Sequence, residues 1–413
     1  MLKNYLLLSW RILWRRRFFT GVSLFGISLT LVVLMVATAL LDHTFAPMAP
    51  EVRQDRTLVI FNGTLIGPHS VWRDGAGFQL IDRYARNLAN VERVAVISFP
   101  EEVFSYPGGT RVQSSLRRSD AEYWRILDFE FLEGGPFADQ DVHNGSRVAV
   151  INAATRDRFF GGTAAVGRWI DTDGQRFRVV GVVSNVSASR PVSSGDIFVP
   201  YTTAKTDAYQ GRLLGSFMGI LLARRPGDFP GIKAELASRV KTVPMPDKDY
   251  EHLYAPAETY FESVAADMFG QRSDDTSHAE RLVVAIVVAA LLFLLLPTVN
   301  LVNLNVSRIM ERASEIGVRK AFGASTGTLV TQFIVENVLL TLIGGAIGLV
   351  LSAAVLKAIT AAGVIEHARL ALNFRVFLYG LGLSLVFGLL SGVYPAWRMA
   401  RLTPVSALKG AAR

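Results

Sequence analysis

The sequence predicts an α-helical membrane protein with four transmembrane helices and a large α+β extracytoplasmic domain. Three observations carry that prediction. Apolar residues gather into four long runs, basic residues gather into three short segments beside them, and residues 42–280 form one mixed stretch between the first run and the second.

The first run, 18–41, reads FFTGVSLFGISLTLVVLMVATALL and holds no charge. The second covers 281–306, the third 326–359, and the fourth 376–397; the third is broken by Glu336 and Lys357. A bilayer core of ~30 Å needs about 20 apolar helical residues, so each run is long enough to span. Ala37-Thr38-Ala39 offers a small-x-small site of the kind that ends a cleaved signal peptide. Such a peptide has an apolar stretch of only about 7–15 residues, so the first run reads as an uncleaved anchor.

Charge sets the orientation. Lys3, Arg11, Arg15, Arg16 and Arg17 precede the first run; Arg308, Arg312, Arg319 and Lys320 lie between the second and third; Arg398, Arg401, Lys409 and Arg413 follow the fourth. By the positive-inside rule these segments, 1–17, 307–325 and 398–413, are cytoplasmic, and the loop 360–375 is external. Opposed only by Glu311 and Glu315, they carry +11, whereas the whole chain carries +8. The basic balance is therefore topological and implies no nucleic-acid partner. With no cysteine, the chain has no disulfide framework and no thiolate metal site.

Within 1–17, Leu2, Leu6, Leu7, Trp10, Leu13 and Trp14 recur at helical spacing. Two readings stand: an amphipathic helix lying on membrane lipid, or a helical extension of the first span. In 42–280, RVAVIN (147–152), RFRVVGVV (176–183) and DIFVPY (196–201) read as short strands bounded by turn signals. TLVIF (57–61), RVAVISF (93–99) and MGILLAR (218–224) read as flanking strands, with helices expected over 78–91 and 229–240. That pattern predicts an α/β part interrupted by an inserted β-rich part.

Gly344, Gly348 and Ser352 repeat every four residues in the third run, and Gly380, Ser384, Gly388 and Gly392 do so in the fourth. Small residues in register let helix backbones approach closely in lipid. Tight helix packing is therefore expected, rather than a wide aqueous pore. Glu336 is a costly charge within a span; pairing or snorkelling is the ordinary reading and a proton relay the functional one.

Catalytic motifs are missing. There is no G-x-S-x-G, H-E-x-x-H or C-x-x-C, and the histidines at 43, 69, 143, 252, 278 and 367 lack ligand spacing. Gly162 to Gly167 has the G-x4-G of a phosphate loop without its Lys and Ser/Thr, and reads as a turn. No cofactor or metal is expected in this chain, and no enzymatic activity.

The stretch ERASEIGVRKAFGAS, 311–325, reads as a salt-bridged amphipathic helix, with Glu315 four residues before Arg319 and Gly323 placed to stop it. Solvation alone accounts for its charges; a docking surface for a cytosolic partner is the functional reading.

ERASEIGVRKAFGAS resembles the E-R-x-x-E-I-G-[IV]-R-[KR]-A-x-G-A-[ST] motif of FtsX/MacB-type ABC transporter permeases. YPAWRMARLTPVSAL (394–408) is similar to that family's C-terminal ending, and residues 123–186 resemble its periplasmic core domain. The resemblance implies a mechanotransmission permease of the bacterial inner membrane, with both termini cytoplasmic and the large domain periplasmic. It implies a strand-helix "porter" part with an inserted "sabre" part at about 115–203. It also implies an ABC ATP-binding subunit, which binds ATP and Mg, docked on Glu311, Arg312, Glu315, Gly317, Arg319 and Lys320. A dimer with a second permease copy or a paralogue is expected, and use of a periplasmic adaptor and outer-membrane channel is left open. Only 17 residues precede the first run, so the ATPase is expected as a separate subunit. Two other readings stand beside it: an FtsX-like regulator or sensor of a periplasmic partner, and a membrane-anchored enzyme, which the missing catalytic constellations oppose.

Overall fold

The computed structural model describes residues 2–15, 17–269, 278–293, 295, 318, 322–368 and 370–400. They form two compact units, one of membrane-type helices and one covering residues 44–282 with 365–368.

The first unit begins with α1 (Leu2–Arg15) and α2 (Arg17–Phe45). On α1, Ser9 and Leu13 are buried while Leu7, Trp10 and Trp14 face outward. The stripe of leucines and tryptophans read from the spacing is therefore split between buried and exposed positions. Among the described residues, two helices are long and apolar enough to cross a membrane: α2 and 327–361. The part of the second run at 294 and 296–306 lies outside the described residues; 279–293 is helical.

The second unit is built on a ten-stranded sheet. Its strands are β1 (Thr57–Ile60), β4 (Val91–Ser98), β5 (Glu101–Ser105), β6 (Val112–Ser119), β7 (Phe131–Gly134), β8 (Val148–Asn152), β9 (Trp169–Thr172), β10 (Gln175–Val183), β11 (Ile197–Pro200) and β12 (Phe217–Ala223). A separate three-stranded sheet joins β2 (Asn62–Ile66), β3 (Val71–Gly75) and β13 (His252–Tyr254). The main path runs β1-β12-β4-β6-β11-β8-β10-β7, with β5 on β6 and β9 on β10. β1 pairs antiparallel with β12 from Thr57↔Leu222 to Ile60↔Gly219. β12 is buried at every position, as expected of a strand covered on both faces.

The flanking strands and the inserted ones thus share one sheet. They meet at a single ladder pair, Ile97↔Ser119. β5 lies on the inserted side of that junction, bonded to β6. The inserted strands enclose a core of Val103, Leu116, Ile151, Phe177, Val179 and Ile197. An aromatic cluster fixes the junction: Tyr123 and Trp124, on the short helix α3 (Glu122–Ile126), pack on Phe129 and Phe198. Each such side chain fully buried stabilises by roughly 1.5–3 kcal/mol.

The helix α4 (Ala153–Phe160) follows β8, capped by Asn152 Oδ1 accepting from Thr155 N at 2.8 Å. The helix α5 (Phe229–Val240) stands where the sequence predicts it, burying Ile232, Leu236 and Val240. The helix expected over 78–91 does not form. Phe78–Leu80 is one α-turn, Ile81–Ala85 a π-turn, and Arg86 is extended. Asn87 and Asn90 then adopt left-handed φ of 60° and 62°, which a helix cannot contain. Another domain helix is α6 (Tyr260–Phe269).

The first unit also contains α7 (Thr326–Ala361) and α8 (Phe374–Ala400). Gly323, at φ 88°, ends the preceding turn, and Ser325 Oγ caps α7 by accepting from Thr328 N at 3.2 Å. The outward faces of this unit are apolar, with Phe25, Val350 and Tyr379 at least 65% exposed. A face of that kind in water would aggregate; in a bilayer it is solvated.

Candidate functional site

The first residues of the domain unit hold a buried ion pair. Arg190 Nη1 donates to Glu51 Oε2 at 3.1 Å, and Ser193 Oγ donates to Glu51 Oε1 at 2.5 Å. Arg190 Nη2 also donates to Ala46 O at 2.7 Å, one residue past the end of α2. Both charged side chains are nearly inaccessible, Arg190 at 1% and Glu51 at 8%. Two ions so placed are stable only when mutually satisfied, because each alone would carry a desolvation cost of several kcal/mol.

The loop that supplies Arg190 and Ser193 is itself anchored. Arg117, on β6, is fully buried and donates to the carbonyls of Pro191 (2.7 Å), Val192 (3.2 Å) and Ser194 (2.9 Å) through Nη1, and to Ser98 O (2.9 Å) through Nε. Burial lowers its pKa. Its charge is met by carbonyl dipoles, without a carboxylate in ion-pair range among the described residues. Glu51, the 190–194 loop and Arg117 thus form one continuous polar connection, within the domain unit, from Ala46 to the centre of the sheet.

The other end of the domain is tied beside it. Phe45 packs on Tyr260 and Phe261, with ring centroids 5.5 and 5.2 Å apart, at the start of α6. Glu262 accepts from Thr259 N at 2.8 Å and from Lys233 Nζ at 2.6 and 2.7 Å. Burial pushes the Glu262 carboxyl up, but those bonds outweigh it and hold the group below its ordinary value.

In the helical unit, glycines admit the neighbouring helices. A Cβ at Gly344 would lie 2.8 Å from Ile27 Cγ2, one at Gly345 2.5 Å from Leu381 Cδ1, and one at Gly348 3.2 Å from the Ser28 carbonyl oxygen. A Cβ at Gly380 would lie 2.8 Å from Leu34 Cδ2. Ser352 is fully buried and donates to Gly348 O at 2.7 Å. Around these contacts Ile27, Leu31, Met35 and Phe377 form an apolar core. Asn373 Nδ2 donates to Asp42 Oδ2 at 2.7 Å, joining the chain before α8 to α2.

A family model described as a MacB-like periplasmic core domain matches residues 20–239, and one described as an FtsX-like permease C-terminal matches 287–404. The chain belongs to the MacB/FtsX-type ABC transporter permeases. It is similar to the pyoverdine export ATP-binding/permease protein PvdT of Pseudomonas aeruginosa, at 27% identity over 407 residues. That match covers 97% of this chain and 58% of the relative, so the chain spans little more than half of PvdT. The macrolide export ATP-binding/permease protein MacB of Chromobacterium violaceum is 27% identical over 299 residues, covering 72% of this chain and 43% of the relative. Among solved structures, the periplasmic region of MacB from Actinobacillus actinomycetemcomitans aligns with a TM-score of 0.37 at 15% identity, over 53% of this chain and 94% of that one.

For a MacB/FtsX-type permease, the residues expected to dock an ATPase are Glu311, Arg312, Glu315, Gly317, Arg319 and Lys320; all six lie outside the described residues. Of the small-residue ridges, Gly344, Gly348 and Gly380 abut α2, while Gly388 and Gly392 lie within α8. Glu336 is buried at 5% exposure. The Glu51–Arg190 pair and the Arg117 anchor were missed by sequence reasoning. Their partners lie far apart along the chain, and nothing in EVRQDR or VQSSLRRS distinguishes a buried ion from a solvated one.

Proposed function

We propose that the chain is the permease of a MacB-like transporter with four spans and cytoplasmic termini. ATP binding and hydrolysis by an ABC ATP-binding subunit move the spans, and that motion reaches the periplasmic domain and drives export or extraction of a periplasmic substrate. The chain performs no catalysis of its own in this reading. The ATPase docks at the helix between the second and third spans, and the working unit is a dimer of permeases. An adaptor and outer-membrane channel would complete the outward route.

The observation that carries the reading is the Glu51–Arg190–Ser193 clamp. Within the domain unit it ties Ala46 to a loop that Arg117 rivets to the sheet, so a pull on the chain at residue 46 would be carried to the sheet. Glycine-mediated helix contacts suit rigid levers better than a conduit.

The test is co-purification of the tagged chain with the ATP-binding subunit from cells expressing its native neighbours. Glu315→Arg should abolish recovery of that subunit by reversing charge on the docking helix. Recovery of the chain without any ATPase, wild type included, defeats the transporter reading. It would leave the FtsX-like alternative, in which the periplasmic domain regulates or senses a partner.

A further inference from the structure

The inserted strands follow the path β5-β6-β11-β8-β10-β9, with a strand bonded on one side only at each end. Among the described residues, β5 pairs with β6 alone and β9 with β10 alone. The two free edges flank a groove of about 780 Å³, lined by Phe104–Gly108 on one side and Trp169–Thr172 on the other. We propose that this groove takes an extended, acidic peptide segment of a partner protein, which adds as a strand to one of the free edges.

Three features favour that occupant. The first is charge. Arg147, Arg168 and Arg176 line the groove against Asp171 as the one acid in the lining. Arg111 adds a fourth guanidinium, stacked 4.0 Å over the Phe104 ring. A second copy of the same edge would set arginine against arginine, whereas a carboxylate-bearing strand is complementary.

The second is how the aromatic rings are used. Phe104 and Trp169 are 40% and 49% exposed, which would suit a stacked sugar ring. Guanidiniums already lie over them, though: Arg111 over Phe104, Arg176 over Trp169 at 5.4 Å, and Arg168 over Phe160 at 4.1 Å. Stacking holds each guanidinium flat; Arg176 Nε lies 3.8 Å from Asp171 Oδ1 and Arg168 Nη1 donates to Thr163 Oγ1 at 3.0 Å, and the N–H groups not so used can meet a carboxylate.

The third lies in the edges themselves. Among the described residues β5 and β9 are each bonded on one side only, so the amides and carbonyls of an incoming strand would find partners there. Added strands draw affinity from main-chain bonds and specificity from alternate side chains, so acids at every second position would face the arginines.

The experiment uses the full chain in nanodiscs with a fluorescent Ac-(Glu-Val)4-NH2 probe, read by polarisation. The expected result is saturable binding that weakens about tenfold or more between 0.05 and 0.5 M salt, as for exposed charges. Arg147→Glu/Arg176→Glu, both exposed positions, should cost about tenfold or more with an unchanged melting temperature. A peptide N-methylated at alternate amides should lose binding, which a purely ionic surface would not sense. Equal affinity of the N-methylated peptide, or no binding of the parent up to 1 mM, overturns the proposal. Binding of a sulfated tetrasaccharide in place of the peptide would reassign the groove to anionic glycans. None of these outcomes depends on an ATP-binding subunit, so the transporter reading stands or falls separately.

Discussion

Arg190 and Glu51, 139 residues apart in the sequence, form an ion pair at 3.1 Å in which both side chains are more than nine-tenths buried. Neither residue belongs to the sheet. Together they fasten the segment that leaves α2 to a loop of the inserted part.

Breaking this pair from one side should be costly. Glu51→Ala leaves the Arg190 guanidinium buried beside Ser193 without its carboxylate, and a loss of about 3–5 kcal/mol is expected. Glu51→Gln keeps the shape and one acceptor and should lose less. Denaturant melts of the two variants give the order. In the proposed function, Glu51→Gln should keep ATPase activity while transport falls.

Arg117→Met removes the donor from four carbonyls, at Ser98, Pro191, Val192 and Ser194. Buried acceptors left bare cost roughly 1–3 kcal/mol each and do not add simply. The variant should melt well below wild type, and hydrogen exchange should rise first at 187–194. Uniform exchange across the domain would contradict the rivet role.

Glycine contacts in the helical unit can be tested against an internal control. Gly344→Ala places a methyl 2.8 Å from Ile27 Cγ2, whereas nothing lies within 4 Å of a Cβ at Gly382. The first should destabilise by about 1–3 kcal/mol through overpacking. The second should change stability by no more than ~0.5 kcal/mol. Thermal unfolding in detergent distinguishes them.

Asp120 supplies a pH dependence. Burial pushes its carboxyl up to about 7, against the Arg86 guanidinium and the Val96 and Tyr123 amides that favour the anion. The folded state therefore binds this proton more tightly than the unfolded state does. Its contribution is greatest below the unfolded pKa and declines as pH rises from about 4 to about 7, with a limiting slope of ~1.4 kcal/mol per unit. Asp120→Asn should flatten that slope. An unchanged slope would place the group's folded pKa near its ordinary value.

Much of the fold could be read from the chain, because its cores are local patterns. RVAVIN, RFRVVGVV and MGILLAR carry the β-branched runs that become β8, β10 and β12, and the 229–240 periodicity becomes α5. The 78–91 segment failed because left-handed Asn87 and Asn90 override an apolar spacing that looks helical. The inserted part could not be seen to share the main sheet, since that rests on the Ile97↔Ser119 pair. Buried arginines escape pattern reading altogether: Arg117 and Arg190 are defined by carbonyls and a carboxylate that the tertiary fold brings to them.

The pairing of β1 with β12 also bears on how the protein is made. Thr57 emerges from the ribosome long before Leu222, its partner across the ladder. At roughly 5–20 residues per second, β1 waits on the order of 10–30 s for the strand that covers it. During that interval the anchored nascent chain presents an apolar, unpaired TLVI segment on the far side of the membrane, where holding chaperones and proteases compete for it. Biogenesis of this permease is therefore most vulnerable at its first strand, and its yield should respond to the translation rate between residues 60 and 223.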